Sequence, residues 1–257
     1  MIDAGSGPAI VLIPGIQGRW EWMRPAVQAL AVHWRVLASS LPGEPGEPQW
    51  AGETFDELVG HIDRMLDDAE VSTAVICGIS FGGLVALRYA ATRPKRVRAL
   101  ILVSAPGPRW TPAPHQARYL RRPILSLPFF AAGAVRRTWR ELRATLPDLR
   151  ARLDFCAAWG LQVLAAPGIP WRMARRGRLA AAESFEADCS RIAVPTLVIA
   201  GERALDKVVP PETTMDYVRS IPGAEFQLFE RTGHMGTASA PDRFASIVSN
   251  FMKRLPD

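Results

Sequence analysis

Apolar and polar positions alternate along this chain in two rhythms. Near-continuous apolar runs occur at residues 9–13 (AIVLI), 35–38 (RVLA), 74–77 (AVIC) and 100–103 (LILV), and after a long interval at 196–200 (TLVIA) and 226–229 (FQLF). Runs this short and this rich in Val, Ile and Leu predict strands buried on both faces of a parallel sheet. Between them the period lengthens. Residues 54–69 open on Thr54, a residue suited to capping a helix, and place Phe55, Leu58, Ile62 and Leu66 at helical spacing. Residues 81–92 (FGGLVALRYAAT) predict a second helix that stops before Pro94, and Phe244, Ile247, Val248 and Phe251 mark a last one. Strands alternating with helices predict an α/β fold, a mostly parallel twisted sheet flanked by helices.

Residues 105–191 break this rhythm, being rich in Pro, Ala and Arg and poor in strand-like runs. They predict a helical lid insertion, so that residues 1–104 and 192–257 form the core and 105–191 a helical cap over the C-terminal edge of the sheet, where open α/β sheets bind ligands. Val135, Trp139, Leu142 and Leu146 recur on one helix face, expected to pack down, and Arg136, Arg137, Arg140 and Arg143 occupy its other sides. Trp110, Phe129, Phe130, Trp139, Trp159 and Trp171 make the insertion aromatic, and most are expected to pack it onto the core.

Composition narrows the functional classes. A chain of 257 residues that is 48% hydrophobic can bury one large core. No run approaches the roughly 18 apolar residues of a membrane span, and the start MIDAGSGPAIVLIPG lacks the basic stretch of a secretory signal, so the expected location is cytoplasmic. Cys77, Cys156 and Cys189 show neither CxxC spacing nor a histidine cluster, and are expected to be reduced, packed thiols. The net charge of +6 raises nucleic acid as a partner, yet only three of the 31 basic residues are lysine and no nucleic-acid-binding pattern accompanies them, so none is expected. The insertion holds fifteen arginines against six acids. That surplus would suit anionic substrates or an anionic membrane surface, but solvated arginine faces explain it more simply and membrane contact is not favoured. Oligomeric state is left open.

The sharpest chemical signal is Gly78-Ile79-Ser80-Phe81-Gly82, placed directly after a predicted strand and directly before a predicted helix. A strand that reverses into a helix within a few residues strains the turn residue and needs small neighbours, and it lifts the serine hydroxyl above the sheet beside a helix N-terminus. A hydroxyl needs a base to become a nucleophile. His61 sits mid-helix, His33 ends a helix, and His115 lies in the proline-rich start of the insertion. His234, in FERTGHMG, follows the last strand at its C-terminal end. The carboxylate that orients the histidine falls in GERALDKVVP, where Glu202 and Asp206 are both candidates.

The chain resembles the α/β-hydrolase superfamily, in particular its cofactor-free, single-domain, serine esterase-like members. VLIPG resembles their first-strand motif, SSLPG a following turn, and GISFGG, the Asp206-Lys207-Val208-Val209-Pro210 loop and the terminal Gly233-His234 pair complete the likeness over nearly the whole chain. The resemblance implies Ser80 as nucleophile, Asp206 rather than Glu202 as acid, His234 as base, and an oxyanion hole from the backbone N–H groups of Ile16 and Phe81. It implies hydrolysis of a small-molecule ester through an acyl-enzyme, with no cofactor and no metal. The same triad also serves C–C, lactone or thioester hydrolysis, perhydrolase or haloperoxidase chemistry, acyl transfer, or a receptor that keeps the pocket without turnover. Two departures stand out. Pro14 replaces the histidine that in relatives buttresses the oxyanion loop. The chain also begins almost at its first parallel strand, so either the sheet is a minimal one of about six strands, without antiparallel N-terminal strands, or the reading frame begins late.

Overall fold

The computed structural model describes residues 1–255, apart from the side chain of Phe130. Its strands are β1 (Ile2–Ala4), β2 (Ala9–Ile13), β3 (Arg35–Ala38), β4 (Ala74–Ile79), β5 (Val97–Val103), β6 (Thr196–Gly201) and β7 (Glu225–Phe229). They form one sheet in the order β1-β3-β2-β4-β5-β6-β7. All neighbours from β3 to β7 run parallel, and β1 pairs antiparallel to β3, with Ile2 opposite Ala38. The alternative of about six strands without an antiparallel N-terminal strand is therefore corrected: the sheet has seven strands, the first antiparallel. Three half-exposed residues, Ile2 to Ala4, carry no apolar run to announce them. Backbone pairing to the open edge of β3 makes them a strand.

In chain order the helices are α1 (Arg24–Ala31), α2 (Phe55–Asp68), α3 (Phe81–Thr92), α4 (Pro114–Arg121), α5 (Pro123–Thr145), α6 (Leu149–Ala165), α7 (Pro170–Ala182), the short α8 (Glu186–Cys189), α9 (Pro211–Thr214), α10 (Asp216–Ser220) and α11 (Gly236–Ser239), and α12 (Pro241–Met252). Side chains alternate across each strand, so β2 sends Ile10 and Leu12 into a core with α1 and α12, and Val11 and Ile13 into another with α2 and α3. Both faces are apolar, which is why the strands read as continuous hydrophobic runs. Thr54 caps α2 as expected, its Oγ1 accepting the Glu57 N–H at 3.3 Å.

Helices α4 to α8 occupy the interval between β5 and β6. Their packing departs from expectation. Leu142 is fully buried, but Val135 is exposed and Trp139 is 39% exposed, because only the C-terminal part of the 23-residue α5 lies against the body. Of the six aromatic residues, Phe129 and Trp171 are also exposed, and the side chain of Phe130 lies outside the described residues. Trp110 is half-buried and packs on the core, while Trp159 stacks on Phe155 and meets Trp22 edge-on at 5.6 Å. Cys77 and Cys189 are buried thiols, and Cys156 is exposed on α6, contrary to the expected packing.

Candidate active site

Ser80 sits between β4 and α3 with φ 55° and ψ −123°. This left-handed backbone costs a β-carbon-bearing residue about 1–3 kcal/mol, and the surroundings must hold it. They do so by crowding. A Cβ on Gly78 would lie 2.2 Å from the Gly82 carbonyl oxygen, and one on Gly82 would lie 2.4 Å from that of Ile13. Only glycine permits both approaches. The Ser80 amide donates to the Val103 carbonyl at 2.8 Å, tying the turn to the neighbouring strand.

The loop after β7 brings His234 to the serine, with Nε2 3.0 Å from Ser80 Oγ. On its other side, His234 Nδ1 lies 3.1 Å from Asp206 Oδ2. Asp206 is buried, and its Oδ1 accepts the amides of Val208 and Val209, each at 3.0 Å. Burial works to raise the carboxyl pKa, but the His234 charge and hydrogen bond and the two amides outweigh it and hold Asp206 below the usual carboxylate range. Burial likewise opposes protonation of His234. The Asp206 charge and hydrogen bond, with Glu141 behind, overcome burial and the repulsion of Arg137, and raise the imidazole above its ordinary value.

Glu202 has a different place. Its Oε1 accepts the Arg231 amide at 2.6 Å and its carbonyl receives the amides of Leu205 and Asp206, so it shapes the loop that presents Asp206. His61 is buried against Ser39 and Ser40, and burial brings its pKa to about 4. His33 and His115 are exposed. Ile16 follows β2 on the loop facing the elbow, where a Cβ on Gly15 would meet Ser80 Cβ at 3.4 Å. Phe81 opens α3, and an N–H in a first helical turn has no partner within its helix.

Two inserted residues reach this site, and sequence reasoning missed both. Glu141 of α5 is buried against the loop that carries His234. Its Oε1 accepts the Gly233 amide at 2.7 Å and the Met235 amide at 2.9 Å, so it holds both residues flanking the histidine. Burial raises its pKa to about 7, against the lowering effect of those amides and of His234. Arg176 of α7 is fully buried under the loop that carries Ile16. It donates to the Ile16 carbonyl at 3.2 Å and the Pro42 carbonyl at 3.3 Å, and its Nη2 lies 2.7 Å from Glu44 Oε1. Its guanidinium thus supports the loop after β2. One signal was available for Glu141: it is the first acid after Glu70. Arg176 stands among many arginines and had none. Tyr119 and Leu120 of α4 and Met173 and Ala174 of α7 pack with Ile16. No group of three or more His, Cys, Asp or Glu among the described residues is placed to hold a metal ion.

Residues 8–241 match the family described as the alpha/beta hydrolase fold. The chain belongs to that family. This α/β-hydrolase is 28% identical to a 2-hydroxymuconate semialdehyde hydrolase of Pseudomonas sp. (strain CF600), over 97% of this chain and 88% of that protein. It is 26% identical to a 2-hydroxy-6-oxo-2,4-heptadienoate hydrolase of Pseudomonas putida, over 97% and 91%. Among solved structures it superposes on the enol-lactonase from Burkholderia xenovorans LB400 with a TM-score of 0.80 and 21% identity, covering 98% of this chain and 95% of that one. The last likeness is one of fold.

Proposed function

We propose that this α/β-hydrolase is a serine hydrolase that cleaves an ester-type bond of a small molecule through an acyl-enzyme. The observation that carries the reading is the unbroken line from Ser80 Oγ through His234 to Asp206, at 3.0 and 3.1 Å. Neutral His234 takes the Ser80 proton at Nε2 as Oγ attacks the carbonyl carbon. Asp206 keeps the Nδ1 proton in place and stabilises the imidazolium that forms. The Ile16 and Phe81 N–H groups donate to the oxyanion, where preorganised donors act most strongly. The tetrahedral intermediate collapses, imidazolium protonates the departing alkoxide, and a water activated by the same histidine releases the acid. Arg176 and Glu141 hold the two loops in register, and the inserted helices act as a lid that bounds the substrate pocket.

Carboxylic esters are the first substrate class of this reading. A second rests on the relatives named above, which hydrolyse a muconate semialdehyde and a heptadienoate. The same machinery would cleave a C–C bond beside a ketone, or a lactone. A fluorophosphonate probe with a panel of aryl esters, lactones and vinylogous diketones tests both. The expected result is labelling at Ser80, lost in Ser80→Ala, with turnover of the esters. Labelling elsewhere would overturn the nucleophile, and labelled protein that turns over only diketones would leave the C–C reading. Labelling without any turnover would favour a receptor.

A further inference from the structure

The first half of α5, residues 123–135 (PILSLPFFAAGAV), contains no charged residue, and Ser126 is its one polar side chain. A helix that is apolar around its whole circumference is normally buried. Here Ile124, Leu125 and Phe129 stand 67%, 71% and 83% exposed, and Leu127 and Val135 are exposed beside them. Arginines bracket the stretch, Arg121 and Arg122 before it and Arg136 and Arg140 after it, all exposed. None of these four forms an ion pair among the described residues. The scaffold treats arginine differently: Arg35 pairs with Asp3, Arg93 with Asp63 and Arg96 with Asp67. Around α5 the one nearby acid, Glu141, is buried and bound to the Gly233 and Met235 amides, and no other acid lies between it and Glu70. Arg136 and Arg140, four apart on one helix, repel.

We propose that this half of α5 is a membrane-surface anchor, whose apolar side chains enter the boundary of a bilayer while the flanking arginines bind anionic lipid headgroups. Its 13 residues make about 20 Å of helix at 1.5 Å per residue, short of the roughly 30 Å of a bilayer core. No helix among the described residues is long and apolar enough to cross a membrane. The segment therefore lies in the interfacial plane, where an apolar face flanked by arginines binds anionic surfaces. Charge decides against a second copy of the chain as the occupant. A symmetric contact sets a patch against itself, and here it would bring arginine clusters together without an acid to separate them. The cationic surface also continues inward, since a cleft of about 340 Å³ beside Leu205 is lined by Arg137, Arg140, His115 and Lys207.

The test is co-sedimentation of the full chain with vesicles of phosphatidylcholine alone and of phosphatidylcholine mixed with phosphatidylglycerol, across a salt series. The expected result is binding to the mixed vesicles that weakens as salt rises. Phe129→Asp should reduce it at least about tenfold, through lost burial and an added repulsive charge. Arg136→Gln and Arg140→Gln should each reduce it roughly fivefold. Circular dichroism melts of each variant should match the parent, because these side chains touch solvent. Protein that stays in the supernatant with anionic vesicles at low salt overturns the proposal, as does equal binding of phosphatidylcholine alone or equal binding by Phe129→Asp. Sedimentation velocity covers the rival: a dimer that Phe129→Asp dissociates, without vesicle binding, would make this face a self-interface.

Discussion

In the sheet, Ile10, Leu12, Val75, Ile101 and Val198 are wholly buried, while α5 and α6 leave Leu125, Phe129, Leu153, Leu161 and Leu164 exposed. The two regions also use charge differently. On the scaffold Arg35, Arg88, Arg93 and Arg96 pair with carboxylates, whereas Arg121, Arg122, Arg136 and Arg140 around the apolar half of α5 form no ion pair among the described residues. The insertion is tied to the body by a few apolar side chains such as Phe185 and by buried polar ones, among which Glu141 and Arg176 both end on loops of the candidate active site. Apolar burial stabilises the scaffold, and polar bonds from the insertion position the chemistry. Damage to the first should destabilise the protein throughout, and damage to the second should destabilise the ties between the insertion and the loops of the candidate site.

The largest expected effect lies on the scaffold side of the site. Asp206→Asn should lower kcat about ten-thousandfold with the fold intact, because it sets the wrong imidazole tautomer. Glu202→Gln should cost far less, since Glu202 only shapes the loop. Steady-state rates on any turned-over ester decide it, and the reverse ranking would make Glu202 the acid.

Arg176→Met should follow. It leaves the buried Glu44 facing Arg172 alone, at 3.2 Å, and a buried pair that loses one partner costs about 3–5 kcal/mol. Denaturant unfolding measures the loss. A cost below about 1 kcal/mol would show that the insertion contributes little through this bond.

Paired leucines sharpen the contrast directly. Leu100→Ala in β5 should cost about 2–5 kcal/mol, and Leu164→Ala in α6 less than about 0.5 kcal/mol. Similar values would mean that the exposed face of the insertion is covered in solution.

Glu141→Gln should have the smallest effect on rate, about tenfold or less, yet it moves the pH profile. Activity needs neutral His234, so a raised imidazole pKa places the acid limb of kcat/KM above the ordinary histidine value, 6.5. Glu141 contributes to that rise, so removing its charge should move the limb to lower pH. An unmoved limb would reduce Glu141 to a structural tie.

The strand pattern, the elbow at Ser80 and the terminal histidine were legible because each is local. A strand buried on both faces writes its burial into consecutive residues, and the elbow needs two glycines at fixed offsets whatever the rest of the chain does. The N-terminal strand β1 was not legible, since three residues become a strand only when β3 offers an open edge. Nor was the exposure of α5: its apolar stripe reads the same whether or not a surface lies beneath it. Sequence therefore determined the α/β architecture and pointed to Ser80, His234 and Asp206 as the candidate triad, all through short-range pattern. Tertiary structure alone decided that Glu202 shapes the loop presenting Asp206 and that Arg176 stands beneath Ile16. It also decided that Glu141 braces the histidine loop from 92 residues away. Contacts between distant segments depend on where the whole chain places them, and no periodicity records that.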